Sequence, residues 1–308
     1  MDQKPFKTDV PSLHPATLLG PITLRVADLE RSIRFYEKVI GLTSARRVNG
    51  HADLGVENEM PLIRLKETPG ARHMPRNSGL YHFAILLPTR ADLGSALQRL
   101  IDSDIRIGQA DHLVSEALYL SDPDGNGMEI YRDRPRAEWT WRGGKVEMAV
   151  DPLDLDSLLQ DAKTIAGSPR AAVPRGLGAA AVLRGSNAAP AGTTIGHIHL
   201  QVSDVQQAVQ FYNGVLGFDI TASFQGAAFL SAGGYHHHLG LNSWNSRGAP
   251  PAPPDAAGLE TFSIRVPSTD EQERIAERFK EAGIPGVFDN GRVSVRDPWN
   301  IGIEVFTR

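Results

Sequence analysis

The sequence predicts an α+β fold built from four βαβββ modules arranged in two duplicated halves. Three observations carry this: an internal repeat, a recurring switch from period 2 to period 3.6, and turn signals between the periodic segments. Residues 22–42, ITLRVADLERSIRFYEKVIGL, match residues 198–218, IHLQVSDVQQAVQFYNGVLGF. A second match joins Gly79-Leu80-Tyr81-His82-Phe83-Ala84-Ile85 to Gly258-Leu259-Glu260-Thr261-Phe262-Ser263-Ile264. A third joins Asp122-Pro123 and Glu129 to Asp297-Pro298 and Glu304. Ordered matches at a near-constant offset are the signature of duplication.

The elements follow in order. Residues 20–26 alternate as a half-buried strand. Asp28 then caps a helix whose apolar positions Leu29, Ile33, Phe35, Tyr36 and Ile40 form one stripe, and Gly41 ends it. Short strands are expected near 43–48, 51–56 and 61–66. The pattern restarts with a strand at 81–87, a helix at 90–102 and strands near 106–109, 115–121 and 127–131. Each half therefore holds two modules, numbered 1 to 4 along the chain. The predicted organisation is an N-terminal arm at 1–16, a first half at 17–134, a linker at 135–192 and a second half at 193–308. The linker should contain a short helix at 153–164, followed by Ala/Gly/Pro-rich stretches such as 171–178 and 188–192, whose composition suits a mobile connection. Residues 248–254, GAPPAPP, form a stiff loop between modules 3 and 4.

Composition narrows the chemistry. The 308 residues are 41% hydrophobic and 22% charged, with a formal net charge of −4. Those values suit a globular chain of about two domains and give no basic footprint for nucleic acid. No apolar run approaches the ~18–20 residues of a membrane span. The opening Met1-Asp2-Gln3-Lys4-Pro5 lacks an apolar signal core, so a cytoplasmic location is expected. There is no cysteine, which excludes disulfides, thiolate ligands and a cysteine nucleophile. Any metal would rest on His, Asp or Glu, and the chain has ten histidines.

Strand parity then decides which side chains share a face. With Ile198, Leu200 and Val202 toward the helix, His197, His199 and Gln201 point to the concave face of the sheet. The same reasoning places His82, Tyr119 and Glu129 on that face. Extended through His236-His237-His238-Leu239-Gly240-Leu241, it turns His236 and His238 inward and His237 outward, unless a bulge intervenes. A lone strand histidine is more often a satisfied core residue than a ligand. Two imidazoles and a carboxylate together, however, form the facial triad that holds non-haem Fe(II) with open positions. If modules 2 and 3 share one cupped barrel, it contains His82, Glu129 and His197, while modules 1 and 4 offer only Pro21, Thr261 and Glu304. The alternative keeps module 3 with module 4 and builds a triad from His197, His238 and Glu304.

The most specific motif is His112 to Glu129, HLVSEALYLSDPDGNGME. It resembles the extradiol dioxygenase signature: a His, a short spacer, an apolar residue and Tyr, then x-x-Asp-Pro-x-Gly and a ligand Glu. One position departs, Ala110 standing where Gly, Asn, Thr or an aliphatic is usual. The chain is thus similar to the vicinal-oxygen-chelate superfamily, which includes glyoxalase I, bleomycin-resistance proteins and type I extradiol enzymes, and most of all to its bacterial catechol 2,3-dioxygenase group. The resemblance covers about 20–134 and 194–307. It implies two cupped barrels, an Fe(II) centre (Mn(II) or another divalent ion as the alternative) and ring cleavage of a catechol-like aromatic diol with O₂. It implies metal ligation by His82, Glu129 and His197, a substrate-oxygen contact by Tyr119, and a supporting or substrate-contacting role for His112. The acid/base histidine lies in the 236–238 run. Motif text aligns His237 with it, whereas parity selects His238 or His236, and parity is followed here: His238 is the expected acid/base. His199, His236 and Asn242 are expected to line the substrate wall. One departure matters, because the familiar enzymes take their ligands from the C-terminal half and Thr261 breaks that set. The alternatives are a glyoxalase-type metal-dependent isomerase or thiol transferase using a fourth ligand, and a non-enzymatic protein that binds aromatic compounds or drugs. No nucleic-acid or membrane partner is expected, and a homo-oligomer is compatible with all of this.

Overall fold

A computed structural model describes residues 10–167, 188–289 and 291–307. Module 1 comprises β1 (Leu18–Val26), α1 (Leu29–Phe35), β2 (Thr43–Val48), β3 (His51–Gly55) and β4 (Ile63–Glu67). Module 2 comprises β5 (Gly79–Leu86), α2 (Arg90–Asp102), β6 (Gly108–Asp111), β7 (Ser115–Ser121) and β8 (Gly127–Asp133). The two-residue strands β9 (Trp141–Arg142) and β10 (Lys145–Val146) and helix α3 (Leu155–Gly167) lie between the halves. Module 3 comprises β11 (Thr194–Gln201), α4 (Val205–Tyr212), β12 (Asp219–Phe224), β13 (Ala227–Ser231) and β14 (Leu239–Asn242). Module 4 comprises β15 (Gly258–Val266), α5 (Thr269–Glu281), β16 (Gly286–Asp289), β17 (Arg292–Arg296) and β18 (Gly302–Thr307).

The repeat is visible in the capping chemistry. The Asp28 side chain accepts from the Arg31 N–H, and Asp204, at the same repeat position, accepts from Gln206 and Gln207. These bonds satisfy amides that the first turn of a helix leaves free. Helix α1 runs on into a π turn at Tyr36–Ile40 and stops at Gly41, whose φ of 86° suits a residue without a Cβ. A second pair of equivalent bonds ties each half together. Tyr36 donates to Asp122 at 2.9 Å, and Tyr212 donates to Asp297 at 2.7 Å, so each Asp-Pro turn is latched to the helix of the preceding module.

The modules pair crosswise into two curled eight-stranded sheets. One has the order β12-β13-β14-β11-β5-β8-β7-β6 and joins modules 3 and 2. The other has the order β16-β17-β18-β15-β1-β4-β3-β2 and joins modules 4 and 1. Each is parallel within a module beside its first strand and antiparallel at the seam, β11 with β5 and β1 with β15. The apolar strand residues and helix stripes bury against one another in one continuous cluster that includes Ile22, Ile33, Phe83, Leu97, Ile198, Tyr212, Phe262 and Phe279. The opposite, concave faces are therefore free to carry polar side chains.

Most of the expected elements form where the periodicity places them. The helix expected at 153–164 runs over Leu155–Gly167 and packs on α2, so closely that a Cβ on Gly94 would run into the Leu158 carbonyl oxygen. The expected connection at 171–178 lies outside the described residues. Among the described residues no helix is long and apolar enough to cross a membrane.

Candidate metal centre

Two adjacent ladder rows build the floor of the module 2+3 cup. In the first, Tyr119 on β7 pairs with Glu129 on β8, Glu129 pairs with Ala84 on β5, and Ala84 pairs with His197 on β11. In the second, Gly127, His82, His199, Gly240 and Phe229 stand side by side on β8, β5, β11, β14 and β13. Ala84 therefore separates two ligating side chains by the width of a methyl group, and a longer side chain there would occupy the space between them. Gly240 plays the same part beside His199, since a Cβ on it would meet His199 Cγ at 2.7 Å. A bulge at Gly196 lets the Tyr131 hydroxyl lie where that residue's Cβ would be.

The three expected ligands converge. Glu129 Oε2 lies 3.0 Å from His197 Nε2 and 3.1 Å from His82 Nε2, and one ligand atom from each residue lies within 4.8 Å of the others. His82, Glu129 and His197 are all buried. Burial opposes charge on the Glu129 carboxyl, yet the two facing imidazoles hold it well below the usual carboxylate range. Burial lowers His197 to about 4. At neutral pH Glu129 is a carboxylate and His197 a neutral imidazole, the protonation states a divalent cation requires of them. His82 Nε2 faces Glu129 Oε2 without an aligned hydrogen bond and has no other partner, as a donor atom reserved for an ion would be. The residues fit a 2-His-1-carboxylate metal site, and among the described residues this trio is the one group of its kind.

Above the trio lies a cavity of about 710 Å³ walled by Tyr81, Phe224, Phe229, Trp244, Met148 and Val150. Tyr119, His112, His199 and His237 also line it. His112 Nδ1 donates to the Ala149 carbonyl at 2.7 Å, which leaves Nε2 to accept the Tyr119 hydroxyl proton at 2.6 Å. The Tyr119 oxygen keeps its lone pairs for a ligand. Burial pushes its phenol well above the usual range and the Glu129 charge adds to that, so Tyr119 stays protonated.

Three expectations are corrected. His237, not His238, lines the cavity. His238 is turned against Tyr235 and Phe218 and accepts the Ala232 N–H on Nδ1, a packing position. His236 is wholly buried, bonded to Asp133 and to His237, and does not reach the cavity. Asn242 is also wholly buried behind the wall. Its Oδ1 accepts the Trp244 N–H, so its amide nitrogen donates to His199 Nε2 at 3.0 Å. The physical reason for the first two is that residues 236–238 are not strand. The chain turns at Gly233 and Gly234, with φ of 62° and 65°, and β14 begins only at Leu239. Alternation counted back from Leu239 therefore fails. His237 is neutral, because burial and the neighbouring imidazoles hold it well below the usual histidine range.

Met148, Ala149 and Val150 carried no sequence signal at all, and they reach the site from the segment between the halves. The short backbone pairing of Asp111 with Asp151 places them there.

The family model of the Glyoxalase/Bleomycin resistance protein/Dioxygenase superfamily matches residues 18–130 and 194–305. The chain is 44% identical over 292 residues to the catechol-2,3-dioxygenase of Bacillus subtilis (strain 168), an alignment spanning 93% of this chain and 96% of that one. Two crystal structures share the fold. A Bacillus subtilis subsp. subtilis strain 168 protein provisionally designated a dioxygenase superposes with a TM-score of 0.62 at 16% identity, covering 97% of this chain and 86% of that one. Glyoxalase I from Zea mays superposes with a TM-score of 0.54 at 16% identity, covering 94% and 92%.

Proposed function

The chain belongs to the Glyoxalase/Bleomycin resistance protein/Dioxygenase superfamily, and we propose that it is an extradiol dioxygenase, opening the ring of a catechol-like aromatic diol beside its hydroxyls and incorporating both atoms of O₂. The observation that carries the reading is the buried His82–Glu129–His197 convergence at the floor of an apolar cavity. The similarity to a catechol-2,3-dioxygenase over most of both chains supports it.

His82, Glu129 and His197 would hold Fe(II), with Mn(II) as the alternative. When bound, the ion supplies the redox chemistry that joins the diol to O₂. The rest is the work of this chain. Tyr119, its proton donated to His112, offers a lone pair to a hydroxyl of the diol and fixes the ring's position. His237, neutral and facing the cavity, takes a phenolic proton as the substrate binds. His199, held by Asn242, lines the wall beside it. Phe229, Trp244, Phe224 and Met148 exclude water and pack on the ring. A cavity of about 710 Å³ exceeds what an unsubstituted catechol fills, and its walls favour catechols bearing apolar substituents.

The test is aerobic addition of catechol and of alkyl- and aryl-substituted catechols to iron-loaded protein. A yellow ring-opened product should form with one O₂ consumed per diol, and the apolar-substituted substrates should show the higher kcat/KM. No uptake across the panel, with one iron per chain verified, rejects the reading.

A further inference from the structure

We propose that Asp133 and His236 are positioning residues that hold His237 in a single tautomer, with its proton on Nδ1 and a bare Nε2 left for the cavity. The hydrogen-bond chain runs one way. Asp133 Oδ1 lies 2.9 Å from His236 Nε2, and a carboxylate can only accept, so the proton of His236 sits on Nε2. With that one ring proton on Nε2, His236 Nδ1 is bare. It faces His237 Nδ1 at 2.7 Å and must accept from it. The His237 proton is thereby assigned to Nδ1, because the tautomer of a histidine is set by the bond its other nitrogen makes.

The surroundings hold this chain rigid. His236 is wholly buried, so water cannot compete for its nitrogens. Its ring is gripped between Tyr235 and Trp139, with centroids 4.1 and 5.2 Å away. The carboxylate is held in turn, since the Tyr235 hydroxyl donates to Asp133 Oδ1 at 3.2 Å while Tyr131 supports that hydroxyl at 2.7 Å. Asp133 ends β8 in module 2, whereas His236 and His237 precede β14 in module 3. The relay is assembled only by the crosswise pairing of modules. Its use in taking a substrate proton rests on the dioxygenase reading above; the tautomer does not.

Full-length protein labelled with ¹⁵N-histidine, both metal-free and loaded with diamagnetic Zn(II), reports the tautomer directly in long-range ¹H–¹⁵N spectra. The expected pattern is a protonated Nδ1 and a bare Nε2 on His237. Asp133→Leu keeps the side-chain volume and removes the acceptor from His236 Nε2, which should release His236 and, through it, His237 into a mixture of tautomers. His236→Phe keeps the ring volume, removes the acceptor and should leave His237 in a mixture of tautomers. With catechol, Asp133→Leu should lower kcat by about 10- to 100-fold at unchanged KM and metal content, and Asp133→Glu should retain part of it. A proton on Nε2 of wild-type His237, or an Asp133→Leu protein with unaltered tautomer and kcat, overturns the assignment. Wild-type protein with the expected tautomer but no catechol cleavage would sustain the assignment and reject the dioxygenase reading.

Discussion

The two eight-stranded sheets are copies of one ladder, yet among the described residues only one forms a donor cluster. In the module 2+3 sheet the neighbouring positions read Tyr119–Glu129–Ala84 and Gly127–His82–His199–Gly240–Phe229. In the module 1+4 sheet the same positions read Ser294–Glu304–Ser263 and Gly302–Thr261–Thr23–Arg64–Asp53. The carboxylate and the flanking glycine survive, but both imidazole positions, Pro21 and Thr261, have lost their ligands. Glu304 is instead paired with Arg292 at 3.2 Å and approached by Arg64 at 3.9 Å, while Lys66 holds Glu260 at 2.8 Å. Paired charges on a half-exposed face gain little from one another, and neither Pro21 nor Thr261 brings an imidazole to Glu304. Duplication thus supplied two equivalent frames, and the side chains in two ladder rows decided which became a metal site.

The largest expected contrast is between the two glutamates at one ladder position. Glu129→Ala should abolish both metal retention and O₂ uptake, whereas Glu304→Ala should leave both unchanged, as read by elemental analysis and an oxygen electrode. Next comes the loop before β14, which has no histidine counterpart in module 1. His237→Ala should lower kcat by about 10²–10⁴-fold with metal content retained. His238→Ala should leave the kcat of folded protein intact and lower the melting temperature, because His238 only packs. A third contrast concerns the gap between ligands. Ala84→Leu should weaken metal binding by about 10- to 100-fold in a chelator competition, while Ser263→Leu in the sister sheet should leave it alone.

The smallest effect concerns stability only. Burial raises the Asp297 carboxyl to about 6, although Tyr212, Ile301 and Trp299 donate hydrogen bonds that favour its ionised form. A carboxyl whose folded value lies above its unfolded one favours the fold while both states are protonated. That stability is lost as pH rises through roughly 4 to 6, by up to about 3 kcal/mol. Urea titrations across that window should show the loss in the wild type and none in Asp297→Asn, with O₂ uptake unaffected in both.

Much of the site was legible because alternation along a strand is local. His82, Glu129, His197, His199 and Tyr119 lie within strands, and each points where its neighbours' hydrophobicity requires. The same rule misplaced His236 and His238, because residues 236–238 are not strand and β14 begins only at Leu239. It also had nothing to say about Asn242 turning away behind His199, or about Met148 to Val150 closing the cup from between the halves.

From sequence alone come the duplication, the four modules, the absence of thiols and the donor types on each face, since all of these are set by residues near one another in the chain. Only the tertiary structure determined that module 2 pairs with module 3, that Ala84 spaces Glu129 from His197, and that His237 is the histidine facing the cavity. Those outcomes depend on which strand edges meet across long stretches of chain and on how one loop turns, and neither is encoded in a local period.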